Sequence, residues 1–220
     1  MTLTRREFTL ALSATALTAI VAAPKFRLIG EALAQDANPA ELLQPVPLGD
    51  IVLGPANASV TVIEYASMSC GHCAEFNKTV YPKIKSEYID TNKIRFIFRE
   101  FPLDIKAAAG AMLARCIAKD DPNKYHAVVD ILFATQTDWV MKDTSEQLRR
   151  ISKQAGMNDE TFNACLANQS MLDALKKGQD IAFEKFKVDS TPTFFINGTR
   201  LKGGASFEEF KKLIDPNLKS

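Results

Sequence analysis

The sequence predicts an α/β protein in which a block of helices is inserted into a sheet domain, and three observations predict it. A strand, a helix and a second strand follow one another between Ser59 and Glu100. Helical patterning then runs from Asp104 to about Asp180 without a strand. Two short strands and a helix close the chain after Thr193. So short a strand–helix–strand succession makes a parallel pair, and the helical block must therefore leave and rejoin one sheet.

Residues 1–34 of the 220 read as a leader. Thr4-Arg5-Arg6-Glu7-Phe8 precedes an apolar stretch from Leu10 to Ala23, and Ala32-Leu33-Ala34 precedes Gln35. A charged start, an apolar run and a small-x-small exit describe a cleaved signal peptide. The run of 14 residues is shorter than the ~18 a membrane-spanning helix needs. The arginine pair with Phe8 resembles a twin-arginine (Tat) leader read by a receptor, and Lys25 and Arg27 fit that route. The expectation is an exported, periplasmic protein, soluble once the leader is cleaved.

The remaining elements follow in order. Residues 35–47 hold Pro39, Pro45 and Pro47 with no periodic pattern, and read as a linker or extended arm. Residues 48–103 form the first part of the sheet domain. Asp50 to Gly54 is a short strand candidate, and Ser59 to Ala66 is β-branched and nearly all apolar, as in a central strand buried on both faces. From Cys70 the period changes: Phe76, Val80, Ile84 and Tyr88 recur every four residues, which marks a helix that Pro82 should kink. Lys93 to Glu100 returns to strand character, with Ile94, Phe96 and Phe98 on one face. Residues 104–180 form the helical insertion. Small residues crowd Ala107 to Ala118, and Tyr125, Val128, Val129, Leu132 and Phe133 make an amphipathic stripe. Thr144 with Gln147, and Ser170 with Asp173, resemble helix-start capping boxes. Residues 181–220 complete the sheet domain, with a strand at Thr193 to Ile196, the turn pair Asn197-Gly198, a returning strand at Thr199 to Lys202, and a helix started by Ser206 and Glu209.

Composition excludes several functions. Hydrophobic residues at 46% and charged residues at 24% are those of a globular chain. The 27 basic and 26 acidic residues form no long run, so nucleic-acid binding has no electrostatic support. Without the leader, which holds four basic and two acidic residues, the net charge becomes −1. Cys70, Cys73, Cys116 and Cys165 all lie outside the leader, and in an oxidising compartment they make disulfides, with three pairings possible.

Cys70-Gly71-His72-Cys73 follows a buried strand and opens a helix. There the free N–H groups and the macrodipole stabilise an anion. The outer Cys70 faces them and should titrate below the free value of about 8.5, while Cys73 should be more buried. His72 can add a positive or hydrogen-bonding neighbour. Such stabilisation exists only in the reduced protein, which makes the disulfide an oxidant. A bare Cys-x-x-Cys is equally compatible with a structural disulfide or half a zinc site; the strand-to-helix position favours the reactive reading.

With these residues in place the sequence resembles the thioredoxin superfamily, and within it the DsbA-like thiol:disulfide oxidoreductases. The strand Val60 to Ala66, the cysteine motif, the helical block and Ser190-Thr191-Pro192-Thr193 occur in that family's order, covering about Leu48 to Leu213. The resemblance implies a thioredoxin fold with an all-helical domain inserted between its βαβ and ββα halves. It implies a cis Pro192 beside the cysteine pair, and a Thr191 backbone that offers strand-like hydrogen bonds to substrate. It also implies that Glu64 is a buried acid relaying protons to Cys73, for which burial should raise its pKa. Some DsbA-like proteins carry a second disulfide in the insertion, which implies a structural Cys116–Cys165 bridge. Gly-His between the cysteines is shared with eukaryotic disulfide isomerases, and Thr before the proline with DsbC- and DsbG-type proteins.

The expected function is a periplasmic oxidase that donates disulfides to exported proteins at Cys70 and Cys73, with no organic cofactor and no metal. His72 tunes Cys70, Glu64 carries protons, and Thr191 and Pro192 present the substrate. The family implies exported clients with free thiols and a quinone-linked membrane reoxidant of the DsbB type. The competing readings are a disulfide isomerase or reductase, and a Cu(I) carrier using Cys70, His72 and Cys73. His126 is expected to be a partly exposed structural residue, and Trp139 and the phenylalanines to fill the core or line a client groove.

Overall fold

The computed structural model describes residues 36–219, so the leader expected at 1–34 lies outside the described residues. Five strands form one sheet in the order β1-β3-β2-β4-β5, where β1 is Ile51–Leu53, β2 Val60–Ala66, β3 Ile94–Glu100, β4 Thr193–Ile196 and β5 Thr199–Lys202. β2 and β3 run parallel from Val60↔Ile94 to Ala66↔Glu100, and the other pairs are antiparallel. β2 is central and closed on both faces: Val60, Val62 and Ala66 enter one apolar cluster, and Ile63 and Tyr65 the other. The continuous apolar run of its sequence is the signature of that position.

Helix α2 (Gly71–Thr79) crosses one face of the sheet. Pro82 ends the regular pattern there, because a proline has no N–H to continue the ladder. The chain restarts as α3 (Tyr81–Ile84) and passes through a π-helical turn, Lys85–Ile89. Phe76, Ile84 and Tyr88 still reach the core, while Val80 is half-buried.

The helical block lies between β3 and β4 in the chain. It comprises α4 (Ile105–Ala118), α5 (Pro122–Ala134), α6 (Gln136–Met141), α7 (Thr144–Gln154), α8 (Asp159–Leu166) and α9 (Gln169–Phe186). Its small residues have a purpose: a Cβ on Gly110 would meet Trp139 at 3.3 Å and Met68 at 3.4 Å, so α4 lies close against the turn that follows β2. Trp139 is fully buried and donates its indole N–H to Leu132 O at 2.7 Å, and most of the phenylalanines are core residues as well.

Several expectations need correction. α7 is capped by Asp143, whose carboxylate accepts from Glu146 N, and α9 by Asn168, which accepts from Met171 N; Thr144 and Ser170 lie just inside the helices they were expected to start. Each start offered two capping residues, Asp143 with Thr144 and Asn168 with Ser170, and the earlier acceptor prevails. α9 also runs to Phe186, past the expected end of the block at Asp180, because Leu175, Ala182 and Phe186 keep one buried stripe.

Of the segment expected as a linker or extended arm, residues 36–42 are docked on the sheet. Ala37 N–H donates to Gly198 O at 2.9 Å, Asp36 accepts from Arg200 N at 3.2 Å, and the short helix α1 (Pro39–Leu42) buries Leu42 against Ile63, Ile97 and Phe195. Gly198 has a φ of +95°, and a Cβ there would collide with the Ala37 carbonyl, so the docked arm requires a glycine at this turn. Prolines broke the periodicity that would have marked this segment as packed.

Two buried ion pairs tie β3 to its surroundings. Arg99 grips Asp50 through two bonds of 2.8 and 3.0 Å and touches Tyr65 OH at 2.8 Å. Arg115, on α4, holds Glu100 at 2.5 and 2.8 Å and Leu48 O at 2.8 Å, while Tyr125 on α5 donates to Glu100 at 2.7 Å. Glu100 is therefore a post on which the sheet, the preceding loop and the helical block meet.

Candidate active site

β2 ends at Ala66, and the chain turns tightly into α2. Cys70 N–H donates to Ser67 O at 3.0 Å, and Ser67 Oγ accepts from Leu103 N at 3.2 Å, which fixes the turn against the segment after β3. Cys70 is the N-cap of α2: its backbone is extended and its sulfur accepts from Cys73 N at 3.4 Å. The two cysteines are free thiols, Cys70 half-buried and Cys73 fully buried.

The turn before β4, the antiparallel neighbour of β2, comes to the same end of the sheet, with a cis bond between Thr191 and Pro192. Cys70 Sγ lies 3.3 Å from Thr191 O, to which the thiol donates. Thr191 and Pro192 are both buried, and the Thr191 hydroxyl has no partner among the described residues.

The two thiols are driven apart in acidity. Cys70 is pulled down from 9.0 to about 5, chiefly by the Cys73 thiol donating to its thiolate. Partial burial opposes this, and the backbone N–H groups of Cys73 and His72 add to it. At neutral pH such a thiol is about 99% thiolate, against about 1% for an unperturbed one at 9. Cys73 moves the other way: burial, then its hydrogen bond to Cys70 and the charge of Glu64, hold it firmly protonated. Glu64 is itself pushed up from 4.5 to about 8, first by burial and then by the charges of Cys70 and Asp130.

The expected site residues thus fall into one neighbourhood, apart from two qualifications. The His72 side chain is exposed and makes no hydrogen bond or ion pair among the described residues; its contribution to Cys70 is a backbone N–H. Cys116 and Cys165 lie away from it, joined in a disulfide between α4 and α8 across a sequence separation of 49.

His126 is not partly exposed. It is buried at 5%, stacked on Tyr81 with its Nδ1 3.3 Å from the tyrosine hydroxyl, and packed against Phe96 and Phe98. Burial lowers its pKa to about 4. The aromatic-rich surroundings come from three separate segments, and the stripe of α5 alone did not place His126 inside.

One contributor was missed. Gln136 at the start of α6 donates its side-chain amide to Met68 O at 2.8 Å and Cys70 O at 3.0 Å. No local signal in the sequence connects a glutamine in the helical block to the cysteine turn. Among the described residues, no group of three or more His, Cys, Asp or Glu side chains could hold a metal ion.

Comparison with known proteins is consistent with this geometry. The family model described as Thioredoxin matches residues 48–216. A Rickettsia prowazekii protein named as a protein-disulfide oxidoreductase is 31% identical over 83% of this chain and 66% of its own length. Disulfide bond formation protein D of Bacillus subtilis is 29% identical, with 84% of each chain covered. Among solved structures, alpha-DsbA1 of Wolbachia pipientis matches with a TM-score of 0.74 and 32% identity, over 82% of this chain and 96% of that one. The chain spans between 58% and 66% of the length of the Rickettsia relatives it matches.

Proposed function

Since the chain belongs to the thioredoxin family, among its DsbA-like members, we propose that it donates disulfides to exported proteins by exchange at Cys70 and Cys73. The observation that carries this reading is the opposite tuning of two thiols one helical turn apart, Cys70 ionised and Cys73 protonated. A stabilised thiolate is a good leaving group, and its stabilisation favours the reduced form, so the oxidised pair gives its disulfide away.

In the donating direction a client thiolate attacks Cys70 Sγ. The Cys70–Cys73 bond breaks, and its electron pair goes to Cys73 Sγ, which takes a proton from Glu64. A second client thiolate attacks the client sulfur of the mixed disulfide, and Cys70 leaves as the thiolate. A Cys70 thiolate no longer donates to Thr191 O, which frees that carbonyl for a client backbone N–H. Pro192 shapes the turn that presents it. His72 acts through its backbone rather than its imidazole.

Leu103 and Ile105 are exposed beside Ser67, and Met141 is exposed at the end of α6, which Lys106 ties to the start of α4 through Val140 O at 2.6 Å. An apolar margin of this kind suits protein clients with unfolded segments. The charged leader read at 1–34 supports a reaction in the periplasm after export by the Tat route, and the family resemblance supports a quinone-linked partner of the DsbB type as reoxidant. The docking of residues 36–42 on their own sheet supports a donor over an isomerase that would use this arm to dimerise.

The test is the equilibrium potential of the Cys70–Cys73 pair in glutathione buffers, read by alkylation and mass spectrometry. A value near about −120 mV supports the donor, and one near about −270 mV makes the protein a reductase.

A further inference from the structure

Glu64 must exchange one proton with solvent in each half of the cycle: it gives one to Cys73 when a client opens the disulfide, and takes one back when the pair is reoxidised. It cannot do so directly, being 3% exposed with no partner for its Oε1 among the described residues. We propose that a polar seam between α2 and α5, ending at Asp130, is the proton outlet of Glu64, with Tyr81 and His126 as its inner wall. The inference rests on the reading of Glu64 as the proton carrier of Cys73.

The sheet register places the parts. Glu64 pairs with Phe98 on β3 and Phe194 on β4, so its side chain rises from the face these rings occupy. On that face His126 lies 5.8 Å from the Phe96 ring and 6.1 Å from that of Phe98, and the Tyr81 ring lies 5.4 Å from Phe96. The Tyr81 hydroxyl meets His126 Nδ1 at 3.3 Å, while His126 Nε2 has no partner among the described residues. A buried polar atom left unpaired is costly, and two on one face, Glu64 Oε1 and His126 Nε2, call for an explanation.

Asp130 lies one helical turn beyond His126 on α5, is half-buried, and is near enough for its charge to act on both Glu64 and Tyr81. Asn77, one turn beyond Cys73 on α2, holds it with a hydrogen bond of 2.9 Å. The seam thus joins the helix of the buried cysteine to that of the histidine.

The titratable and charged groups around Glu64 and Asp130 are Cys70 and Cys73, Tyr81, Lys85, Tyr125 and His126. Lys85 is paired with Asp90 at 2.5 Å, and its charge favours an ionised Asp130. Burial keeps His126 neutral, so that it offers both a donor and an acceptor, and shifts Asp130 upward from its ordinary value. The proton balance closes: when Glu64 protonates Cys73, the carboxylate is refilled from Asp130 and Asp130 from water; in reoxidation the same proton runs outward. Asp130 acts through Glu64 and is a positioning residue.

The experiment uses the reduced full chain and excess glutathione disulfide. Acid quenching and mass spectrometry follow closure of the Cys70–glutathione adduct by Cys73. Asp130→Asn should slow closure by at least about tenfold and leave the Cys70 ionisation unchanged. Asp130→Glu, or added formate or imidazole, should restore the rate, which a merely structural role for Asp130 does not predict. Tyr81→Phe should slow closure as well. In a Glu64→Gln background the Asp130→Asn change should add nothing. Closure of Asp130→Asn at the wild-type rate, slowing without rescue, or independent slowing in the double variant overturns the outlet. Wild-type closure by Glu64→Gln alone instead removes the proton-carrier reading on which it rests.

Discussion

Gln136 donates its side-chain amide to the carbonyl oxygen of Cys70 at 3.0 Å, and the same nitrogen reaches Met68 O at 2.8 Å. The helical block therefore does more than cover the sheet: its third helix, α6, pins the turn that carries the nucleophile. Gln136→Ala leaves two partly buried carbonyls short of a donor and should cost about 1–3 kcal/mol, measured by urea unfolding of the reduced and oxidised forms. Equal stability of variant and wild type would mean water replaces the amide without loss.

The acidity of Cys70 gives a pH signature. Its folded pKa, about 5, lies below the ordinary thiol value of 9.0. The stabilisation is fully present above the ordinary value, shrinks as pH falls, and is lost below about 5. It exists only when the disulfide is open. The reduced protein should therefore melt above the oxidised one, and the gap should widen as pH rises through this window. A gap independent of pH would show that Cys70 is untuned.

Glu64 has the opposite sign. Its pKa is raised from 4.5 to about 8, so the stability linked to its proton is fully present at the low end of that window and declines as pH rises through it. Glu64→Gln should flatten this decline and gain roughly 2–3 kcal/mol relative to wild type at neutral pH, less whatever the unpaired amide costs. Denaturation midpoints across the window read the slope directly.

Cys73→Ser should accumulate mixed disulfides between Cys70 and its clients, since the returning nucleophile is gone. These adducts should be visible on non-reducing gels and vanish in a Cys70→Ser, Cys73→Ser double variant. Absence of adducts would leave Cys73 without its resolving role.

The second disulfide should behave unlike the first. Cys116 and Cys165 both lie in the last turns of their helices, α4 and α8, where the dipole disfavours a thiolate. Buffers that open the Cys70–Cys73 pair should leave this bridge intact. Replacing both cysteines by alanine releases a loop with a separation of 49 residues, for a loss of about 4 kcal/mol in the chain-entropy model. Co-reduction of both pairs at one potential would contradict the dipole argument.

What the sequence made legible was local. β2 announced itself by a run of apolar residues, α10 (Phe207–Ile214) by the capping box of Ser206 and Glu209, and the cysteine pair by its place between strand and helix. What stayed hidden depends on segments distant in the chain. Gln136 meets Cys70 across 66 positions, and His126 is enclosed by rings from α3 and β3 as well as its own helix. Residues 36–42 looked like a linker because a docked segment anchored by one backbone bond, one carboxylate and one leucine has no period to detect.

Trp139 is the single tryptophan of the chain, and its ring lies against Gly110 beside Met68, in the turn that leads to Cys70. The molecule consequently carries its own optical gauge. Indole emission has one source, it is shielded from solvent, and it lies beside the turn that leads to the cysteine pair. Any change of emission on opening or closing the cysteine pair in the unlabelled protein is therefore assignable to one ring without deconvolution.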